Sequence, residues 1–217
     1  MSAPDYTARV VRTLLGVSAH PGGLALTERL TGLMDLPPGA RLADVACGSG
    51  ASGVLLARAG VRVDGVDLEP AAVRRAVRAA ARAGVSARTS WRVGDAHALP
   101  LPRATYDGVL CECSLSTFAD PAAALAEMVR LLRPGGHLGL SDITLDRAGL
   151  AAAHPRVLRA VDGMTTARPL AAYVDLVAAS GLAVAHIERR DADALALLAR
   201  LRARLAVAGA LSRQARA

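Results

Sequence analysis

The sequence predicts an α/β fold: a doubly wound, mostly parallel sheet with helices on both faces, a helical N-terminal preface and a C-terminal helix. Two observations predict it. Short apolar runs alternate with segments whose apolar residues recur at helical spacing, the pattern of strand–helix–strand units. The first such run, Arg41 to Ala46, empties into a glycine-rich loop that opens a helix. The length, 217 residues, suits one domain of the common size, about 100–200 residues.

The elements follow in order. Tyr6 to Leu15 reads as a helix, broken by His20-Pro21-Gly22-Gly23. Leu24 to Leu33 is helical, with Leu26, Leu30 and Leu33 on one face, and Pro37-Pro38-Gly39 ends it. Residues 1–38 are therefore a helical cap and 39–217 the main domain. Within the main domain, Arg41 to Ala46 is a strand, Ser52 to Ala59 a helix and Val61 to Val66 a second strand closed by Asp67. Pro70 sits early in a helix that runs to Arg82, where proline is tolerated. Ser90 to Val93 and Tyr106 to Cys111 are the third and fourth strands. Asp120-Pro121 supplies an N-cap and first residue for a helix that Arg133-Pro134-Gly135-Gly136 stops. His137 to Ile143 is the fifth strand, Leu170 to Ala179 a helix, and Leu182 to Ile187 a sixth strand. A Leu/Ala/Arg-rich helix from Asp191 or Asp193 completes the chain, covering its own core or mediating a homodimer. In such sheets ligands bind beyond the carboxyl ends of the strands.

The formal charge of +7 does not name a nucleic-acid partner. All 26 basic residues are Arg, a compositional bias, and they are spread along helices, as in Arg74, Arg75, Arg78 and Arg82. One Trp, one Phe and three Tyr make a poor base-stacking platform. No stretch approaches the roughly 18 apolar residues of a membrane span, and the N-terminus lacks a secretory layout. The chain is expected in the cytoplasm, acting on a small molecule. Three cysteines, Cys47, Cys111 and Cys113, fit a reducing compartment.

The loop Cys47 to Gly53 has two readings. Gly48, Gly50 and Gly53 satisfy G-x-G-x-x-G, and Asp67 follows about 20 residues later, as dinucleotide binding requires. A nicotinamide oxidoreductase must be weighed, although the chain has no Lys for a Tyr-x-x-x-Lys pair. Other features favour S-adenosylmethionine. Asp44, just before the loop, would repel a pyrophosphate but can pair with the ammonium of a methionine moiety. Gly48 and Gly50 allow close backbone approach. Asp95 follows the third strand and can accept from an adenine amino group. Asp67 would hold the ribose hydroxyls.

These segments carry a resemblance. Asp44-Val45-Ala46-Cys47-Gly48-Ser49-Gly50, Val66-Asp67-Leu68-Glu69-Pro70, Gly94-Asp95-Ala96 and Leu132-Arg133-Pro134-Gly135-Gly136 resemble, in order and spacing, the motifs of class I S-adenosylmethionine-dependent methyltransferases. The resemblance covers residues 20 to 190 and implies a Rossmann-like fold with S-adenosyl-L-methionine as cofactor. It implies cofactor contacts from Thr27, Asp44, Ala46, Gly48, Gly50, Asp67, Leu68, Asp95, Ala96 and Cys111. Ala46 departs from the usual Gly, and its methyl is expected to be tolerated. Within the class, Asp107 through Asp142 is similar to the group containing quinone-biosynthesis and arsenite methyltransferases.

Methyl transfer from a sulfonium needs mainly positioning, plus a base when the acceptor must lose a proton. Candidate bases are Glu112, Asp142, His20, His97, His137 and His154. His137, at the strand end opposite the expected site, reads as structural. Glu112 and Asp142 lie on the correct edge and are the expected catalytic residues. In extended backbone Cys111 and Cys113 would point the same way. The arsenite methyltransferases place an arsenic-binding Cys where Cys113 stands, which suggests a thiophilic acceptor as an alternative. Their second Cys and Cys-rich terminal domain have no counterpart here, and no metal site is expected. Thr144 to Arg168 is expected to cover the acceptor, with Arg168 facing an acidic group. A third reading is a non-catalytic, cofactor-binding subunit.

Overall fold

The structure is a computed structural model that describes residues 20–146, 148, 167–197, 199–200 and 203. The expected helix Tyr6–Leu15 and residues 147 and 149–166 of the expected acceptor-covering segment, His154 with them, lie outside these residues. The sheet has five parallel strands in the order β3-β2-β1-β4-β5: β1 Arg41–Val45, β2 Arg62–Asp67, β3 Thr89–Val93, β4 Tyr106–Glu112 and β5 Leu132–Ser141. The helices are α1 Gly23–Leu33, α2 Ala51–Arg58, α3 Pro70–Arg82, α4 Pro121–Leu131 and α5 Leu170–Ala179. Residues 191–197 are also helical.

Local chemistry explains the boundaries. Asp120 caps α4 by accepting the N–H groups of Ala122 and Ala123, each at 3.0 Å, with Pro121 at the first position. Glu69 caps α3 in the same way, accepting from Ala71, with Pro70 next. Gly50 begins α2 in the left-handed region at φ 77°.

Strand alternation splits the core between two faces. Leu42, Val63 and Leu110 point to the side covered by Met34, Leu56, Ala57 and Ala80. Val45, Val66, Val109, Cys111 and Tyr106 point to the side covered by Leu125, Met128, Leu131 and Tyr173. The residues around α1 belong to this core: adding a Cβ at Gly139 would place it 2.8 Å from the Met34 sulfur and 3.2 Å from Leu30 Cγ.

The order reverses between β1 and β4, so the switch point lies at their carboxyl ends. The sixth strand expected at Leu182–Ile187 is not formed: residues 182–190 have no regular structure. Strand propensity needs a ladder partner. Beyond the carboxyl end of β5, Thr144 bridges to Arg168 and Leu145 N–H donates to the Arg168 carbonyl at 2.9 Å. Farther on, the chain is tethered through side chains, Glu188 accepting from Arg29 and Arg190. No described helix is long and apolar enough to cross a membrane.

Candidate functional site

The carboxyl edge of the sheet carries an acid at or beside the end of every strand: Asp44, Asp67, Asp95, Glu112 and Asp142. Parallel strands all end on one edge, so the topology gathers groups far apart in sequence.

The loop after β1 is built from backbone turns. Ala46, Gly48 and Gly50 have φ of 58°, 55° and 77°. Cys47 N–H donates to the Val66 carbonyl at 3.1 Å, and Gly48 N–H donates to Asp67 Oδ2 at 2.7 Å. Asp67 Oδ1 accepts from Glu69 N–H at 2.9 Å, so two backbone amides fix its carboxylate. The glycines divide their work. A Cβ at Gly48 would meet nothing within 4 Å, so this glycine faces open space. A Cβ on Gly50 would lie 2.8 Å from both Ala76 Cβ and the Trp91 ring, and one on Gly53 or Gly65 would be closer still to the indole. The Cα of Gly50, expected to face the cofactor, instead makes room for Trp91 and Ala76.

Asp44 is buried, and its Oδ2 has no hydrogen-bond partner among the described residues, the Gly53 amide being the one group that draws its carboxyl down. Burial, then the neighbouring Glu112 and Asp67 carboxylates, push its carboxyl well above the usual range. Such an oxygen is costly to leave unmade. A cationic donor would supply the missing bond, and the ammonium of S-adenosylmethionine is such a donor. Leu68 is 69% exposed next to Asp67, an apolar side chain suited to one face of a purine. Ala96 packs against the core. Asp95 is exposed, its carboxyl held below the usual range first by the His97 N–H and then by the His97 ring. The residues present fit the cofactor.

Glu112 and Asp142, the expected bases, are both engaged by protein donors. Glu112 accepts from the Ser52 hydroxyl at 2.6 Å and from the Thr27 hydroxyl at 3.0 Å, with His20 Nε2 at 3.6 Å. Its side chain is only 6% exposed. It rivets α1 and α2 to the end of β4. Thr27, expected to touch cofactor, is fully buried with its hydroxyl committed to this cluster. Asp142 accepts from Ser116 N–H, the Ser116 hydroxyl and Ile143 N–H, at 2.8, 2.7 and 2.7 Å. It braces the turn Leu115–Thr117 against the end of β5. Burial raises its carboxyl in spite of these donors.

Both thiols depart from expectation. The Cys111 side chain lies in the core beside Val109 and has no exposed surface, so it cannot reach a cofactor. Cys113 stands beyond the end of β4 at φ 49°, which breaks the alternation that would have aligned the two. Burial, then Asp142 and Glu112, push its thiol up to about 12. Among the described residues no group of three or more His, Cys, Asp or Glu could hold a metal. The thiophilic reading loses its geometric support. Arg168 bridges Thr144 through its backbone, and His137, exposed in β5, pairs with Gly108 of β4, away from the site.

Ser52, Trp91, Glu127 and Arg130 escaped the sequence reading. Glu127 and Arg130 had a legible signal, an acid–base pair at i,i+3 on a helix. Trp91, the single Trp, had none until the fold set it against glycines from two segments.

Residues 43–140 match a family model described as a methyltransferase domain. The chain is 36% identical over 160 residues to the 27-O-demethylrifamycin SV methyltransferase of Amycolatopsis mediterranei (strain S699). That match covers 72% of this chain and 59% of that protein, so the chain spans under two thirds of the relative. The [4+2]-cyclase SpnF has a similar structure, with TM-score 0.64 and 27% identity over 72% of this chain and 57% of its own. Geranyl diphosphate C-methyltransferase of Streptomyces coelicolor A3(2), solved with Mg2+, geranyl diphosphate and S-adenosyl-L-homocysteine, shares the fold at TM-score 0.66 and 22% identity, over 82% of this chain and 68% of that one.

Proposed function

We propose that the chain is a class I S-adenosylmethionine-dependent methyltransferase, as its matches to the methyltransferase domain and to the rifamycin relative support, and that it methylates a hydroxyl oxygen of a small organic acceptor. The observation that supports the cofactor half is the unpartnered Asp44 oxygen, on the strand that feeds the loop in which Gly48 faces open space. The acceptor half rests on the rifamycin relative, a 27-O-demethylrifamycin SV methyltransferase.

S-adenosylmethionine, when bound, supplies an electrophilic methyl on a sulfonium. The protein's residues have separate tasks. Asp44 pairs with the ammonium, and burial strengthens that pairing once the carboxyl ionises. Asp67, pinned by Gly48 and Glu69, offers its remaining lone pairs to the ribose hydroxyls. Leu68 lies against the purine, and Asp95 accepts from its amino group. The bound cofactor would give its methyl to the acceptor oxygen and leave as the thioether, and the hydroxyl would give up its proton. Glu112 and Asp142 are each engaged by protein hydroxyls or amides, which disfavours them as takers of that proton. His154, the one histidine in the sequence of the acceptor-covering segment, is the base this reading favours.

Under the same proposal the protein is cytoplasmic and paired as a homodimer through its C-terminal helix. Sedimentation tests the pairing. Titration with S-adenosylhomocysteine, beside NADH, tests the cofactor: micromolar binding of the former alone is expected, and NADH binding alone would overturn the reading. Transfer of labelled methyl to a panel of phenols, enols and alcohols tests the acceptor. Labelling of thiols, arsenite or amines in place of every hydroxyl compound would refute it, and His154→Ala should then be compared on the best acceptor.

A further inference from the structure

We propose that His97, Glu127 and Arg130 form a clamp that fixes the loop after β3, so that Asp95 discriminates a 6-amino from a 6-oxo purine. These are positioning residues, and the inference rests on the reading of Asp95 as the acceptor for the adenine amino group.

The loop is pinned at both ends to one helix. On its N-terminal side, His97 Nδ1 lies 2.6 Å from Asp95 Oδ1, which also accepts the His97 backbone N–H at 2.9 Å. His97 Nε2 accepts the Asp120 N–H, at the cap of α4, at 3.2 Å. One tautomer satisfies both contacts: protonated on Nδ1, bare on Nε2. The ring also packs edge-on to Phe118, centroids 5.9 Å apart. Two turns along α4, Glu127 Oε2 accepts the Leu99 N–H at 2.8 Å. Arg130 donates to the Leu99 and Leu101 carbonyls at 3.0 and 3.1 Å, and closes a two-point pair with Glu127 at 2.7 and 2.8 Å. Buried Leu99 and Leu101 serve as apolar pegs.

The consequence is directional. Both His97 donors engage Asp95 Oδ1, and Oδ2 has no protein donor among the described residues. That oxygen accepts well from an amino group and is repelled by a carbonyl. A freely rotating carboxylate would lose part of this preference, because water and rotation would satisfy it for either purine. The guanidinium fork suits the task, since its planar donors fix two carbonyls and a carboxylate in one geometry.

The test compares binding of S-adenosylhomocysteine and S-inosylhomocysteine by the full chain, by calorimetry. The native protein should favour the amino compound by at least tenfold. His97→Ala and Glu127→Ala should each cut that ratio severalfold, chiefly by weakening the amino compound, and His97→Asn, which keeps a donor near the Nδ1 position, should restore much of it. An unchanged ratio in both alanine variants, or equal weakening of both ligands, overturns the clamp. If Glu127→Ala fails to fold, the His97 pair decides alone. Asp95→Ala separates the two layers. Loss of the ratio there with both clamp variants unaffected refutes the clamp and leaves the Asp95 reading standing; a ratio unchanged in Asp95→Ala refutes both.

Discussion

Ala46 holds a left-handed φ of 58°, where a Cβ crowds the following carbonyl. The methyl is small, as the sequence reading argued, but the strain is in the backbone. Ala46→Gly should therefore raise unfolding free energy by about 1 kcal/mol in denaturant melts, and an unchanged midpoint would show that the turn relaxes. Asp44 makes a stronger case. Its carboxyl holds a proton to higher pH in the fold than in the unfolded chain. The native state then binds more protons, so stability falls as pH rises from the ordinary carboxylate range through the raised value. Asp44→Asn should remove that slope, raise the melting temperature at neutral pH and weaken S-adenosylhomocysteine binding by about tenfold or more. Cys113, with its thiol pushed up to about 12, holds far less thiolate at pH 8 than an ordinary cysteine. Its alkylation by iodoacetamide should be about a thousandfold slower than that of a free thiol. A fast-reacting Cys113 would revive the thiol reading.

Among the elements, α1 is bound to the domain by polar rivets as well as by apolar packing. Thr27 and Ser52 meet on Glu112, whose carboxylate is charge-assisted in both bonds. Glu112→Ala leaves buried hydroxyls unsatisfied and should cost about 1–3 kcal/mol. Measured at saturating cofactor, the surviving folded enzyme should keep most of its turnover; a loss of several orders of magnitude would restore Glu112 as a base. Element existence was well marked in the sequence wherever a cap or breaker stood beside a periodic run, as at Asp120-Pro121 and Glu69-Pro70. It failed at Leu182–Ile187, where the apolar pattern was present but no ladder partner was.

For the molecule as a whole, many arginines answer internal acids. Arg41 and Arg92 pair with Asp64, Arg130 with Glu127, Arg133 with Asp107, and Arg29 and Arg190 with Glu188. Asp64 is held below the usual carboxylate range, burial being outweighed by donors from Arg41, Tyr106 and Arg92. Its contribution is present above the unfolded value and is lost as pH falls through the depressed one, so Asp64→Asn should flatten the acid limb of the stability profile. Leu110, central in β4 and fully buried, should cost about 2–5 kcal/mol as Leu110→Ala.

The sequence by itself determined the alternation of strands and helices, the loop that opens α2, and the identity of the acids along one sheet edge. These are local matters, written in periodicity, caps and glycine spacing. Only the tertiary structure decided what each acid faces. Asp44 is left with an unpartnered oxygen, whereas Glu112 and Asp142 are filled by hydroxyls and amides from segments distant in the chain. Whether a carboxylate is a base, a ligand or a rivet depends on its donors and its burial. Both are set by which segments the sheet brings together, and spacing along the chain does not encode that.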